Sequence, residues 1–456
     1  MPNDFAIFAA GPVTLAIVGC GQRGRGYAAY TLQEPTLCKL VAIAEPRLQT
    51  RQTMRETYSL DKNLVFETYE DLLKASADKL QTTGKRFADA VIITVQDHLH
   101  AEVALAFAAQ GYHILCEKPM GTTVEACVKV EAAVKKAGVI FGIGHVLRYS
   151  PYTKAMTEVI RDGKLGPLIN VVHIEPVGYW HFAHSYVRGN WARESESSFS
   201  LMTKSSHDID LICHYLYPDG PTRVSSFGSL QHFRKANKPA EAGEAQRCLD
   251  CAYEPNCAYS AKKVYLDPLT QGKTGGKTHI LVDVLPDIEN ITDALKTGPY
   301  GRCVYECDND VCDNQVVNLE FSNGATVSFT MVAHTKLVCE RQTRLHFAYG
   351  EIVGDMNTFT VTDFRTGEST QHAPKNEGGH GGGDLGLFHA FVEAVRTGRQ
   401  EVLGMDVTEV LRSHLTVFAA EKSRREGVVV DCVAFEKEAR EQFGQPAGRK
   451  RLELYY

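Results

Sequence analysis

The chain has no apolar stretch approaching the roughly 18 residues needed to cross a bilayer. Its longest apolar runs, such as residues 90–95, are short and strand-like. A membrane-embedded class is excluded on that ground, and a soluble protein is expected. Charge of one sign is also scarce. The 49 Lys and Arg stand against 55 Asp and Glu, a formal net charge of -6. No global field attracts polyanions, so nucleic acid is excluded as the main partner. The apolar segment at residues 5–10 is too short for a secretory leader and lacks a basic flank. The run Arg449, Lys450 and Arg451 is too brief for a nuclear signal and reads as a solvated tail. Paired cysteines are missing too: 13 is an odd number, spread over the chain, which fits reduced thiols and a cytoplasmic location better than a disulfide framework.

What is present suffices for a large core. The 456 residues, 44% hydrophobic and 23% charged, suggest two or three domains at about 100–200 residues each. Strand-like runs at 13–18, 39–44, 90–95, 112–116 and 139–144, with a weaker one near Val65, alternate with helical patterns. Successive βαβ units on a parallel, doubly wound sheet follow, giving a first domain over residues 1–146. The helical patterns at 102–110 and 123–137 are stopped by Gly111 and Gly138. After Pro151 the pattern changes to one helix and then longer alternating strands at 169–177, 316–321 and 325–332. This predicts an α+β domain over residues 147–456 with a large, mostly antiparallel sheet. A polar segment at about 233–275 reads as an insertion, and two helices near 385–396 and 407–425 close the chain.

Gly19, Cys20, Gly21, Gln22, Arg23 and Gly24 follow the first strand and open a helix. In that context the glycines permit a tight turn and close approach of a pyrophosphate to the helix N-terminus, so NAD or a related dinucleotide is expected here. Glu45 ends the second strand, where a carboxylate can hold the ribose hydroxyls and repel the extra phosphate of NADP. Arg47 beside it keeps NADP as the less favoured alternative. Glu117 and Lys118 end the strand at 112–116, at the sheet edge where open α/β folds bind ligands. A desolvated lysine there has a lowered pKa and can relay a hydroxyl proton.

With Thr94, His100, Glu117, Lys118, Pro119, Arg148 to Pro151 and the Ser206, His207, Asp210 segment added, the chain resembles the Gfo/Idh/MocA family of glucose–fructose oxidoreductase and inositol dehydrogenase relatives. The resemblance implies a Rossmann domain, a second domain whose open sheet forms the substrate site and often a homodimer or homotetramer contact, and redox chemistry at sugar or cyclitol hydroxyls. It implies cofactor contacts from Gly19, Gly21, Gln22, Arg23, Gly24, Glu45, Thr94, His100, Glu117 and Arg148. Lys118 matches the family's catalytic lysine, and His207 the histidine of its proton relay. Family dehydrogenases usually carry an aspartate four residues before that histidine, where this chain has Thr203 followed by Lys204, which makes Lys204 a further catalytic candidate. Asp210 is read as structural.

Aromatic and polar groups between Gly178 and Trp191 suit a pocket for a hydroxylated ring, with His184, Tyr186, Arg188, Asn190 and Trp191 as candidate substrate residues. His380 lies among five glycines, with Asp384 as an expected N-cap, and is a further substrate candidate. Cys248, Cys251 and Cys257, with Cys307 or Cys303 as the fourth ligand, have the makings of a structural zinc site. The expected function is NAD-linked hydride transfer at a sugar or cyclitol hydroxyl. Its rivals are a redox-neutral glycosidase or lyase with bound NAD and a non-enzymatic nucleotide-sensing regulator.

Overall fold

The computed structural model describes residues 11–273 and 277–444; the apolar segment at 5–10 and the basic tail lie outside them. β1 (Val13–Val18), β2 (Cys38–Ala44), β3 (Val65–Phe66), β4 (Ala90–Ile93), β5 (His113–Cys116) and β6 (Phe141–Ile143) form one sheet in the order β3-β2-β1-β4-β5-β6. All of its pairs are parallel. The strands are apolar throughout because both sheet faces are covered: all four residues of β4 are buried. The order reverses between β1 and β4, which creates a crevice at their carboxyl ends. The turn signals act as expected. Thr123 caps helix Val124–Ala137 by accepting from the Ala126 amide, and Gly138 ends it at φ 63°.

A second sheet contains β7 (Leu168–Pro176), β8 (Pro221–Ser229), β9 (Asn314–Phe321), β10 (Thr326–Val332), β11 (Gln342–Phe347), β12 (Gly350–Gly354), β13 (Phe359–Asp363), β14 (Ser369–His372) and β15 (Val430–Asp431). Their order is β14-β13-β12-β11-β7-β10-β9-β8-β15. Only β7 and β10 pair in parallel, so the sheet is mostly antiparallel. Helices Ser206–Leu216 and Val407–Glu426 pack against one face, while Ile169 and Phe227 are exposed on strands of the sheet.

Two features depart from the expected layout. The insertion fills the whole interval 230–313 between β8 and β9, and it has its own small core of Ala261, Tyr265, Leu269, Ile291, Leu295 and Tyr300. The closing helices also return to the first sheet. Leu387, Phe388 and Phe391 of helix Gly383–Thr397 and Val410 and Leu411 of helix Val407–Glu426 are part of its core. Each such side chain contributes about 1.5–3 kcal/mol when fully buried. No helix among the described residues is long and apolar enough to cross a membrane.

Candidate active site

The glycine turn after β1 is tight for stated reasons. A β-carbon on Gly19 would lie 2.6 Å from the Thr94 carbonyl oxygen, and one on Gly24 2.1 Å from the Gly19 carbonyl oxygen. Gly21 differs: the nearest atom to a β-carbon there is an Arg47 guanidinium nitrogen at 3.9 Å. Gly19 and Gly24 thus serve strand and helix packing, and Gly21 leaves a cradle. Helix Gln22–Gln33 begins at Gly21 with no side-chain cap and no acidic residue in its first turn. Its first amides are available to an anion. Gln22 is exposed there. The Thr94 hydroxyl donates to the Gly19 carbonyl and braces the turn.

Glu45 is 2% exposed at the end of β2. Its Oε2 accepts the Cys20 amide at 2.7 Å, and its Oε1 accepts the Arg47 amide at 2.9 Å and Arg47 Nε at 2.8 Å. Arg47 Nη2 adds a fourth bond, to Glu45 Oε2 at 3.3 Å, so the carboxylate is fixed beside the cradle with both oxygens engaged, and a ribose hydroxyl would compete with the Arg47 guanidinium for it. These features fit a dinucleotide: an open glycine, an uncapped helix start and a fixed carboxylate.

Glu117 and Lys118 stand at the carboxyl end of β5, next to that turn. Arg23 Nε donates to Glu117 Oε1 at 2.8 Å and Tyr27 Oη donates to the same atom at 2.9 Å. Burial favours the protonated carboxyl, but Arg23 prevails and holds Glu117 below the usual carboxylate range. Lys118 Nζ donates to the backbone carbonyl of Thr203. Burial pushes its ammonium below the ordinary lysine value; Asp97 and Glu117 oppose this and Lys204 adds to it. Asp97, which the sequence reading missed, accepts from Trp191 Nε1 at 2.8 Å and from Ser197 Oγ at 2.7 Å.

His207, on helix Ser206–Leu216, is 6% exposed and its Nδ1 has no hydrogen-bond partner among the described residues. Burial, reinforced by Lys118, His380 and His145, keeps its pKa well below the imidazole norm. It is a neutral acceptor at physiological pH. Lys204 is different. Burial works against its charge, yet Glu175, 3.2 Å from its Nζ, holds its pKa above the ordinary lysine value. Lys204 also donates to Cys339 Sγ at 2.9 Å. Glu175 thus favours the charged ammonium of Lys204, a form that can donate a proton but not accept one.

His380 faces this group from the glycine-rich loop, its ring 5.8 Å from that of His207. Asp384 does not cap the following helix. Its Oδ1 lies 2.8 Å from His380 Nδ1 and its Oδ2 accepts Arg23 Nη1 at 2.9 Å. Although burial opposes ionisation, His380 and Arg23 bring the Asp384 carboxyl down to about 2.

Several expected residues are engaged elsewhere. Arg23 clamps the carboxylates of Glu117 and Asp384. His100 bonds the carbonyls of Pro119 and Val95 at 2.7 and 3.1 Å and fixes the loop after Lys118. Arg148 makes a bidentate pair with Asp210 at 2.6 and 2.7 Å, both buried. His184 bonds Tyr265 Oη at 2.6 Å, and Arg188 donates to the carbonyls of Arg302 and Tyr259, both at 2.8 Å. These two anchor the insertion. Tyr186 is buried against Trp191, with ring centroids 5.8 Å apart, and Asn190 is exposed. From that segment the Trp191 ring lies 6.0 Å from Lys118 Nζ, and the buried Tyr186 hydroxyl interacts electrostatically with Lys204 and Asp97.

The structure does not support the expected zinc site: Cys248, Cys251, Cys257 and Cys303 line one narrow cavity with Arg188, but no metal-binding group of three or more His, Cys, Asp or Glu forms among the described residues. Cys307 instead donates to the Cys303 carbonyl at 3.2 Å. The insertion is ordered by its own apolar packing, which the polar composition of its first half concealed.

A family model described as an oxidoreductase family's NAD-binding Rossmann fold matches residues 13–145, and its companion, the C-terminal alpha/beta domain, matches residues 157–432. YteT of Bacillus subtilis (strain 168) is 25% identical over 323 residues, covering 65% of this chain and 70% of YteT. The 1,5-anhydro-D-fructose reductase of Ensifer adhaerens is 32% identical over 108 residues, 24% of this chain and 32% of the reductase. The solved structure of levoglucosan dehydrogenase in complex with NADH and levoglucosan superposes with a TM-score of 0.65 at 17% identity, covering 92% of this chain and 99% of that one. At that identity the likeness shows the fold.

Proposed function

The chain belongs to the Gfo/Idh/MocA oxidoreductase family, and from that premise we propose that it transfers hydride between NAD and a hydroxyl-bearing carbon of a sugar, cyclitol or glycoside. The observation that carries this reading is the pairing of a desolvated Lys118 with a neutral, buried His207 at the sheet edge beside the glycine turn. The similarity to 1,5-anhydro-D-fructose reductase and levoglucosan dehydrogenase supports a carbohydrate substrate.

The turn at Gly19, Gly21 and Gly24 and the first amides of helix Gln22–Gln33 would hold the pyrophosphate, and Glu45 a ribose. The bound cofactor supplies a hydride acceptor. Lys118 takes the hydroxyl proton as the carbon is oxidised, and His207 receives it. Lys204, fixed by Glu175, keeps a positive charge near Lys118 and so favours the neutral amine that can accept a proton. Trp191, oriented by Asp97, offers an aromatic face to a sugar ring. Glu45 disfavours the extra phosphate of NADP, and the exposed Ile169 and Phe227 suit assembly into a dimer or tetramer.

The test is a screen of monosaccharides, inositols, anhydro sugars and aryl glycosides with NAD, following NADH absorbance and product release together. Lys118→Ala and His207→Ala are expected to lower turnover on the best substrate by about 100- to 10,000-fold, with NAD affinity by titration calorimetry nearly unchanged. Near wild-type turnover in both variants would remove the assignment.

A further inference from the structure

The junction between β2 and helix Leu48–Thr57 carries groups that would suit the extra phosphate of NADP. Arg47 Nε donates to Glu45 Oε1 at 2.8 Å, and Arg51 Nη1 donates to the Pro46 carbonyl at 2.9 Å, so two guanidiniums gather there. The helix starts at Arg47 with no side-chain cap and no acidic residue in its first turn. Free amides beside two arginines favour a phosphate dianion. A site that takes NAD has to oppose them with negative charge. Part of that opposition is local: Glu45 pairs with Arg47, and Glu67, with a side chain 65% exposed, lies 3.3 Å from Arg51.

A third carboxylate arrives from the second domain. Asp283 belongs to the insertion, and its Oδ1 accepts the Thr50 hydroxyl at 2.6 Å, across 233 residues of chain. Thr50 stands three residues after Arg47, on the same side of the helix. A helical threonine commonly returns its hydroxyl to a carbonyl one turn back, whereas Thr50, only 4% exposed, directs it to the exposed Asp283. The two residues before Asp283, Leu281 and Val282, pack against the insertion's own core. A folded unit therefore carries the carboxylate to this place. Its charge is felt at Arg47, whose guanidinium is held above its ordinary value first by the hydrogen bond to Glu45, against burial, and then by the charges of Glu45 and Asp283.

We infer that Asp283 is a specificity-determining residue of the coenzyme site, a carboxylate that reaches the nucleotide domain from the insertion and, together with Glu45, turns away the 2′-phosphate of NADP. The inference rests on reading the glycine turn as a dinucleotide site. Glu45 occupies Arg47 by direct contact. Asp283 acts at longer range, by repelling a group that carries about 1.5–2 negative charges at neutral pH. Thr50 is its positioning residue. Both domains thus share the choice of coenzyme, and the insertion gains a task that substrate chemistry does not give it.

The test is titration calorimetry of the full chain with NAD and with NADP, at about 20 mM and about 0.5 M salt. The variants are Asp283→Asn, which keeps an oxygen for the Thr50 hydroxyl, Asp283→Ala, and Thr50→Val, each checked for folding by circular dichroism. At low salt the ratio of the NADP to the NAD Kd should fall by about fivefold to twentyfold in both Asp283 variants, and by less in Thr50→Val. Added salt should shrink the difference from wild type, because an exposed charge is screened; Asp283→Glu should restore the wild-type ratio. A ratio within about twofold of wild type in both Asp283 variants, or a fall that salt leaves unchanged, would overturn the inference. If the wild type binds neither nucleotide, the coenzyme reading falls and takes this inference with it. If the wild type prefers NADP and the Asp283 variants prefer it more, the inference stands and the assignment of Glu45 falls.

Discussion

Asp384 accepts a hydrogen bond from Arg23 at 2.9 Å, across 361 residues of chain. Arg23 also holds Glu117, so one guanidinium joins the first helix, the end of β5 and the glycine-rich loop. The end of β5 and the glycine-rich loop are mechanically connected through it.

Removing that guanidinium leaves Glu117 buried without its charge partner. Arg23→Met is expected to destabilise the fold by about 2–4 kcal/mol, below the about 3–5 kcal/mol of a fully buried pair because the Arg23 side chain is 33% exposed. Adding Glu117→Gln should recover part of the loss. Thermal midpoints of the two single variants, the double variant and the wild type measure this, and an Arg23→Met midpoint equal to wild type would refute it.

The proposed ribose contact of Glu45 makes cofactor choice depend on it. Glu45→Ala should weaken NAD by about 1.5–3 kcal/mol, the scale of charge-assisted hydrogen bonds, and narrow the gap to NADP. Arg47, freed from Glu45 in that variant, would help a 2′-phosphate. Titration calorimetry decides it: tighter NADP than NAD binding by the wild type would contradict the assignment.

The pH profile of oxidation follows from the two relay residues. Lys118 accepts a proton only when neutral, and its pKa lies below the ordinary 10.5. The rate should therefore rise with pH through a midpoint below that value. His207, neutral because its pKa is depressed, imposes no loss near pH 6.5, the ordinary imidazole value. Steady-state rates across pH should show the Lys118 limb and no histidine limb at that point; a half-maximal rate at or above 10.5 would count against Lys118.

Buried neutral histidines also make the fold acid-sensitive. Burial lowers His184 to about 4 and His414 to about 3, both from 6.5. Below 6.5 the unfolded chain binds protons at these positions that the folded chain does not. Their contribution is thus full above 6.5 and fades as pH falls toward the folded values, at about 1.4 kcal/mol per pH unit for each. His414 shows the geometry: Nε2 accepts the Met120 amide at 2.9 Å, a bond that protonation would abolish. Thermal midpoints should fall between about pH 7 and about pH 5; a midpoint that rises on acidification would refute this.

The nucleotide-binding half was largely legible because its signals are local. A glycine turn, a strand-terminal acid and alternating apolar runs need no partner far along the chain, and β1 matches its predicted span of 13–18. Lys118 was legible for the same reason, through its place after β5. Residues whose roles depend on distant contacts were not. The ion pairs of Arg23 with Glu117 and Asp384 and of Lys204 with Glu175 join positions far apart in the chain, so no local pattern announces them. His184 and Arg188 had pocket-like chemistry but support the insertion, whose later helices supply apolar residues outside the polar segment that drew attention. Asp97 gave no signal because its importance lies in Trp191 and Ser197.

Leu387, Phe388, Phe391, Val410 and Leu411 complete the core of a sheet whose six strands end at Ile143. During synthesis the strands leave the ribosome long before the helices that close their apolar side. The first half to be made is therefore among the last to be finished, and a fragment ending at residue 146 would present an uncovered apolar face to solvent. Coenzyme affinity then becomes a property of the completed chain, although every residue of the glycine turn lies near its beginning.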